Sequence, residues 1–340
     1  MITINIRKSD TQADATFHAE RAIGSKTGLI TSIRFDLNPR GHDRWSVTHP
    51  ESTDLARLLP QDWTEEPTLS VSGKGGTFEQ QLLTTVGEFV ERYCAHWPVT
   101  SATHDMTTAS YEEMRVSELP VVDFEYLDLY DPEQLEETSQ APFERTTTTK
   151  WIPGKNLLTG ETVHVPTELV YMGEHTDWEG QSANFFSTSN GCACGSDPDS
   201  AVLGALYEGL ERDAVMCSWF RETPPRRLDL SEWPQLDALR EKVTTANSEI
   251  HVLEFDSETD VHTLGGMYVN RRDRRPKFML AGGSNLDFRS AVRDALLEAE
   301  QGIKALKKAA AFEEHPNVDV TTITNLEDNI RYYIHPDNFD

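Results

Sequence analysis

"STSNGCACGSDPDSAVLGALYEGLERDAVMCSW", residues 187–219, decides how the rest of the chain is read. Asp197 followed by Pro198 predicts a helix start: proline lacks only an N–H that has no intrahelical partner in the first turn, and aspartate accepts from the others. Leu203, Leu206, Leu210, Ala214 and Cys217 recur at helical spacing and form the expected buried stripe. Glu208, Glu211 and Arg212 stand at i, i+3 and i+4, so they share one strip of the helix, expected to lie away from that stripe. Such a strip is either a solvated ion-pair face or a site.

Upstream, "VGEFVERYCA", residues 86–95, repeats the pattern as Glu88, Glu91 and Arg92. It lies in a predicted helix from Phe78 to Trp97, opened by a capping-box pair, Thr77 and Gln80, with Leu82, Val86, Phe89, Tyr93 and Trp97 as its apolar stripe. Both charged triplets follow turns of small residues, Ser72-Gly73-Lys74-Gly75-Gly76 and Ser189 through Gly195, which let backbone approach a ligand closely. A third long helix, predicted over Phe288 to Glu313, carries Glu298 and Gln301 three residues apart.

The segments between these helices read mainly as strands. "MITINI", "GLITSIRFDL" and "RWSVTH" make the first 70 residues strand-rich, and residues 150–172 read as two strands around a Thr-Gly turn. "SANFFSTSNG" is strand-like, and "EIHVLEFD", "LGGMYVN" and "KFMLAGG" are three further strand candidates. Short helices are expected near Tyr111–Leu119 and Gln235–Ala246. The fold class is therefore α+β. No compositional break divides the chain, so a single domain over 1–340 is expected, with a strand-rich N-terminal segment over residues 1–70, a core of about 71–313 and a closing segment 314–340.

Composition limits the function classes. There are 57 acidic against 31 basic residues, a formal net charge of -26, with only ten lysines. This balance disfavours binding to nucleic acid or to an anionic membrane, and an acid-rich, lysine-poor surface is what adaptation to high salt produces. No run reaches the roughly 18 apolar residues of a membrane span, so a cytoplasmic location is expected. Cys94, Cys192, Cys194 and Cys217 are too scattered for a disulfide scaffold, and Cys192-x-Cys194 lacks zinc-knuckle spacing.

A single E-x-x-E-R is usually a solvated pair worth a few tenths of a kcal/mol. Two copies, each behind a small-residue turn, with the scarce Lys74 just ahead of a helix N-terminus, point instead to a phosphate and metal site. The pattern matches neither G-x-x-x-x-G-K-[ST] nor G-x-G-x-x-G. From the residues alone, the reading stops at an acidic metal-phosphate site on three helices.

Three blocks, "SGKGGTFEQQLLTTVGEFVERY", the stretch quoted first, and "GGSNLDFRSAVRDALLEAEQ", resemble in this order the motif blocks of the YcaO family. "KWIPGKNLLTGETVHVPTELV" resembles the strand pair that family places between blocks one and two. The resemblance implies a YcaO-type nucleotide fold with ATP and Mg2+ as cofactors. By position it makes Glu88, Glu91, Glu208 and Glu211 the metal-binding acids. Lys74, Arg92, Glu208, Arg212, Glu298 and Gln301 become the nucleotide-binding residues, and no residue is singled out as catalytic. Thr85 stands where the family's first block usually has serine.

The resemblance also implies phosphorylation of a peptide amide oxygen. The product is then an azoline ring when a neighbouring side chain of a ribosomally made peptide attacks, or a thioamide when sulfide does. A non-catalytic peptide-binding scaffold on the same fold is the third reading. Implied partners are the peptide substrate, a ThiF-like leader-binding protein or a TfuA-like protein, and a second copy in a homodimer. The family's azoline-forming members often end in a proline-rich tail; "RYYIHPDNFD" does not, and a shortened C-terminus is expected.

Overall fold

The computed structural model describes residues 21–37, 45–53, 71–75, 77–96, 105–137, 140–172, 183–244, 246–272, 274–312, 317–323 and 325–339. Trp97, Glu313 and the "MITINI" run lie outside them. The chain divides into two compact units, one of residues 1–54, 68–91 and 190–340, the other of 55–67 and 92–189.

In the first unit, β6 (Arg226–Arg227), β7 (Ser248–Phe255), β8 (His262–Asn270) and β9 (Phe278–Asn285) form an antiparallel sheet in that order. Alternate residues face opposite sides. Ile250, Val252, Leu264 and Tyr268 point to the face covered by α6 (Phe288–Phe312) and α5 (Pro234–Val243), where they meet Leu236, Val292, Leu296 and Ile303. Ala291, Ala295 and Ala299 recur every four residues along α6, and all are fully buried. Gly266 and Gly283 lie opposite this small-residue row, so helix and sheet approach closely: a β-carbon at either glycine would collide with the α6 backbone.

The opposite face carries α4 (Pro198–Phe220), with Ala214 and Val215 packed on Leu253, Phe255 and Met267. Asp197 caps α4 as its sequence predicts, accepting from Ser200 N–H at 2.9 Å while the Ser200 hydroxyl accepts from Asp197 N–H at 3.2 Å. The helix face differs from expectation. Of the predicted stripe only Ala214 is buried; Leu203 and Leu206 are exposed, and the inward residue one turn before Ala214 is Glu211, 7% exposed. A charged residue displaces the leucines because the sheet beneath it is cut back to glycine, as the site shows below.

Also in this unit, β1 (Ile30–Leu37) pairs antiparallel with β2 (Trp45–Ser52). Helix α1 (Phe78–His96), which belongs to this unit as far as Glu91, buries Thr85, Val86 and Phe89, and α7 (Leu326–Ile334) packs beside β9.

The second unit is a three-stranded sheet, β3 (Thr107–Ser110), β4 (Thr148–Lys155) and β5 (Thr162–Pro166), with two short helices, α2 (Tyr111–Val116) and α3 (Pro132–Glu137). Trp151 is its fully buried centre, packed with Tyr111, Met114 and Phe185, and its indole N–H donates to Ala109 O at 2.9 Å. The predicted Thr-Gly turn joins β4 and β5, with Gly160 at φ +74, where a β-carbon would be strained. Residues 183–190 form no strand, contrary to their alternating pattern: Asn184 and Phe185 donate backbone N–H groups to the Glu168 carboxylate rather than to a neighbouring strand.

Candidate nucleotide site

The glycine-lysine turn is fastened to α1. Thr84 Oγ1 donates to Lys74 O at 2.6 Å and the Gln81 amide to Gly75 O at 3.1 Å. A β-carbon at Gly75 would meet Gln80 and Gln81, so only glycine lets the turn fold back on the helix. Thr77 Oγ1 accepts from Gln80 N–H at 3.2 Å, the first half of the predicted capping box. Thr85, fully buried, donates to Gln81 O at 2.6 Å, a role serine could also fill.

Ser72 is the junction that sequence reasoning passed over. Its N–H donates to Glu88 Oε2 at 3.2 Å. The Gln301 amide donates to the Ser72 carbonyl and, at 2.6 Å, to its hydroxyl. Two residues on, Lys74 Nζ donates to Glu298 Oε2 at 2.6 Å. The first and third motif blocks therefore meet along one edge of α6, whose 3.6-residue period sets Asp294, Glu298 and Gln301 on one strip.

Glu211 in α4 is the buried acid of this group. Gly282, on the neighbouring strand, leaves the space its carboxylate fills. Arg212 stands 3.5 Å from Glu208 and 4.0 Å from Glu211, and the other Glu208 oxygen accepts from Gly191 N–H at 3.1 Å. Burial, then the negative charge of Glu298, pushes the Glu211 carboxyl up to about 7, against the pull of Arg212 and Lys74. Burial alone would lower the Lys74 amine, but Glu298, then Asp294 and Glu211, outweigh it and hold the amine above its ordinary range. Asp294 was missed in the sequence, although its position four residues before Glu298 on one helix was a legible signal. Glu91 is half-buried on α1, one turn beyond Glu88. Arg92 belongs to the second unit, where its guanidinium donates to Met172 Sδ at 3.6 Å.

Among the described residues, no three acidic, histidine or cysteine side chains stand within reach of one metal ion. Glu88, Glu208 and Glu298 each have a protein donor on an oxygen. The site still fits a polyphosphate with a divalent cation: Glu298 and Glu208 are both near enough to raise the Glu211 carboxyl electrostatically, and negative charge gathered around it is what a cation relieves. Lys74 and Arg212 supply positive charge for phosphate oxygens.

A solved heterocyclase in complex with substrate and cofactor covers 95% of this chain at 20% identity and TM-score 0.73. YcaO from Methanopyrus kandleri, bound with AMPPCP and Mg2+, covers 88% at 21% identity and TM-score 0.58. An uncharacterized protein from the tfuA 3' region of Rhizobium leguminosarum bv. trifolii is 27% identical over 247 residues, 69% of this chain. The chain spans 43% of the heterocyclase, 68% of the Methanopyrus protein and 55% of the Rhizobium protein. The family model for YcaO cyclodehydratase, ATP- and Mg2+-binding, matches residues 72–340, a span that holds all three blocks. With the turn, the two charged triplets and the Glu298–Gln301 pair inside that match, the chain belongs to the YcaO family, whose cofactors are ATP and Mg2+.

Proposed function

We propose that this protein uses ATP and Mg2+ to activate backbone amides of a peptide, as one functional YcaO domain. The observation that carries the reading is the buried Glu211, held with Glu208 and Glu298 around Lys74 and Arg212. An amide oxygen is a poor leaving group, and bound Mg-ATP supplies the phosphoryl group that lets it depart as phosphate, with ADP released. Glu88, Glu91, Glu208 and Glu211 would hold the metal. Lys74 and Arg212 would neutralise phosphate oxygens, while Glu298 and Gln301 would position the nucleotide. Fixed charges of this kind contribute orientation and electrostatic stabilisation rather than covalent chemistry.

The nucleophile sets the product. Attack by a Cys, Ser or Thr side chain of the peptide on its preceding carbonyl carbon closes an azoline, the carbon losing its oxygen to phosphate. The heterocyclase likeness is one of fold, and it accommodates this product. A second reading, attack by external sulfide to give a thioamide, is favoured by the relative from the tfuA 3' region. In either case we propose a separately encoded partner, ThiF-like for the azoline or TfuA-like for the thioamide.

Two experiments test the reading. Glu208→Gln and Glu91→Gln should keep the far-ultraviolet spectrum and lose Mg-ATP affinity by at least about tenfold, or about 1.4 kcal/mol; unchanged affinity in both overturns the site. Mass spectrometry of treated peptide then distinguishes the products, since an azoline lowers the mass by about 18 Da and a thioamide raises it by about 16 Da.

A further inference from the structure

We infer that Asp294 is a positioning residue, which takes over Lys74 from Glu298 and keeps the lysine amine in the site when nucleotide is bound. This rests on the proposed nucleotide reading, and it gives a role to the one acid of the α6 strip that the reading leaves unused.

Two contacts fix how the glycine-lysine turn lies along α6. Ser72 meets Gln301 at 2.6 Å, and Lys74 meets Glu298 at 2.6 Å. Advancing two residues along the turn therefore moves one turn back along the helix, and the next position on the same strip in that direction is Asp294. Neighbouring positions on such a strip are about 5–6 Å apart. The flexible four-carbon stem of a lysine covers that distance by rotation about its own bonds. After that of Glu298, the charge of Asp294 is the next to act on the Lys74 amine.

Lys74 and Glu298 hold each other in this structure, yet each has a separate task once nucleotide is present. A Glu298 carboxylate that turns to the nucleotide withdraws from the lysine. Glu211, the other acid acting on the amine, is taken by the proposed metal role. Asp294 remains. Its Oδ1 accepts from Arg293 at 3.2 Å, while its Oδ2 accepts no hydrogen bond among the described residues, which leaves an oxygen for the ammonium. A lysine held from behind by a carboxylate presents its remaining N–H groups to phosphate oxygens without swinging out to solvent.

The test is a double-mutant cycle on the full chain, with Mg-ATP affinity read by calorimetry. Asp294→Asn should weaken binding about fivefold, or about 1 kcal/mol. In a Lys74→Met background the same substitution should change affinity by less than about twofold, because no amine is left to position. Asp294→Glu should restore most of the affinity, and the nucleotide-free variants should melt within a few degrees of their parents. An Asp294→Asn effect that is absent, or equal in both backgrounds, overturns the positioning role and leaves the nucleotide reading standing. Tighter binding in Asp294→Asn also overturns it, since the carboxylate would then act on phosphate by direct repulsion. A large fall in melting temperature makes Asp294 a structural residue. No Mg-ATP binding by the wild-type chain overturns the positioning role and the nucleotide reading together.

Discussion

Gly282 lies directly beneath the carboxylate of Glu211, and all three heavy atoms that a β-carbon at position 282 would meet first belong to that carboxylate. Gly283 faces the other way, where a β-carbon would strike backbone atoms of Ala291 and Ala295 in α6. The adjacent glycines therefore separate function from stability. Gly282→Ala should displace a side-chain end that can move and cost little stability, yet lower Mg-ATP affinity by at least about tenfold. Gly283→Ala must shift a helix and should destabilise by about 1–3 kcal/mol. Denaturant titration and calorimetry on both variants check the pair of outcomes.

Glu211 gives the metal-free protein a specific pH dependence. Its carboxyl titrates near 4.5 when unfolded and about 7 when folded. Between those values the unfolded chain has released a proton that the folded chain retains, so stability falls as pH rises through this interval. The loss should reach on the order of 3 kcal/mol above it. Glu211→Gln removes this component. Urea midpoints at about pH 5 and about pH 8, in the presence of a chelator, should converge in the variant and differ in the wild type.

The Lys74–Glu298 pair keeps about a third of each side chain exposed. Solvent screening makes its contribution to stability small, about 1 kcal/mol at most. Lys74→Met should thus leave the melting temperature within a few degrees while lowering Mg-ATP affinity at least about tenfold. A large fall in melting temperature without loss of affinity would make the lysine a structural residue.

The Gly160 turn offers a control in the other unit. Its φ of +74 disfavours a β-branched side chain, so Gly160→Val should destabilise by about 1–2 kcal/mol and leave nucleotide affinity alone.

Much of this architecture is legible in the sequence because helix starts, glycine turns and strand alternation are local signals. Asp197-Pro198, the β7–β9 strands and the Thr-Gly turn all stand where the sequence puts them. Helix α4 departs from its pattern for a physical reason. Apolar periodicity assumes that the inward face is the apolar one, and here the inward position goes to Glu211, which Gly282, Arg212 and Lys74 make room for and compensate. The E-x-x-E-R spacing marks Glu211 as a site residue, but apolar periodicity cannot show that it is buried. Ser72 escapes notice because it acts largely through its backbone, which marks no residue type as special, whereas the helical spacing of Asp294 from Glu298 was there to be read.

The contacts from Gln301 to Ser72 join residues 229 apart, and those from Lys74 to Glu298 residues 224 apart. Closing so long a loop costs entropy before any contact rewards it. During synthesis the glycine-lysine turn leaves the ribosome well ahead of α6, and until that helix arrives the turn lacks the partners that complete the site. With the nucleotide held as proposed, a nascent chain would therefore not retain it. Once the unit has closed, bound ATP favours the finished fold by mass action, so the cell's own ATP pool becomes a selective stabiliser of chains that have folded to completion.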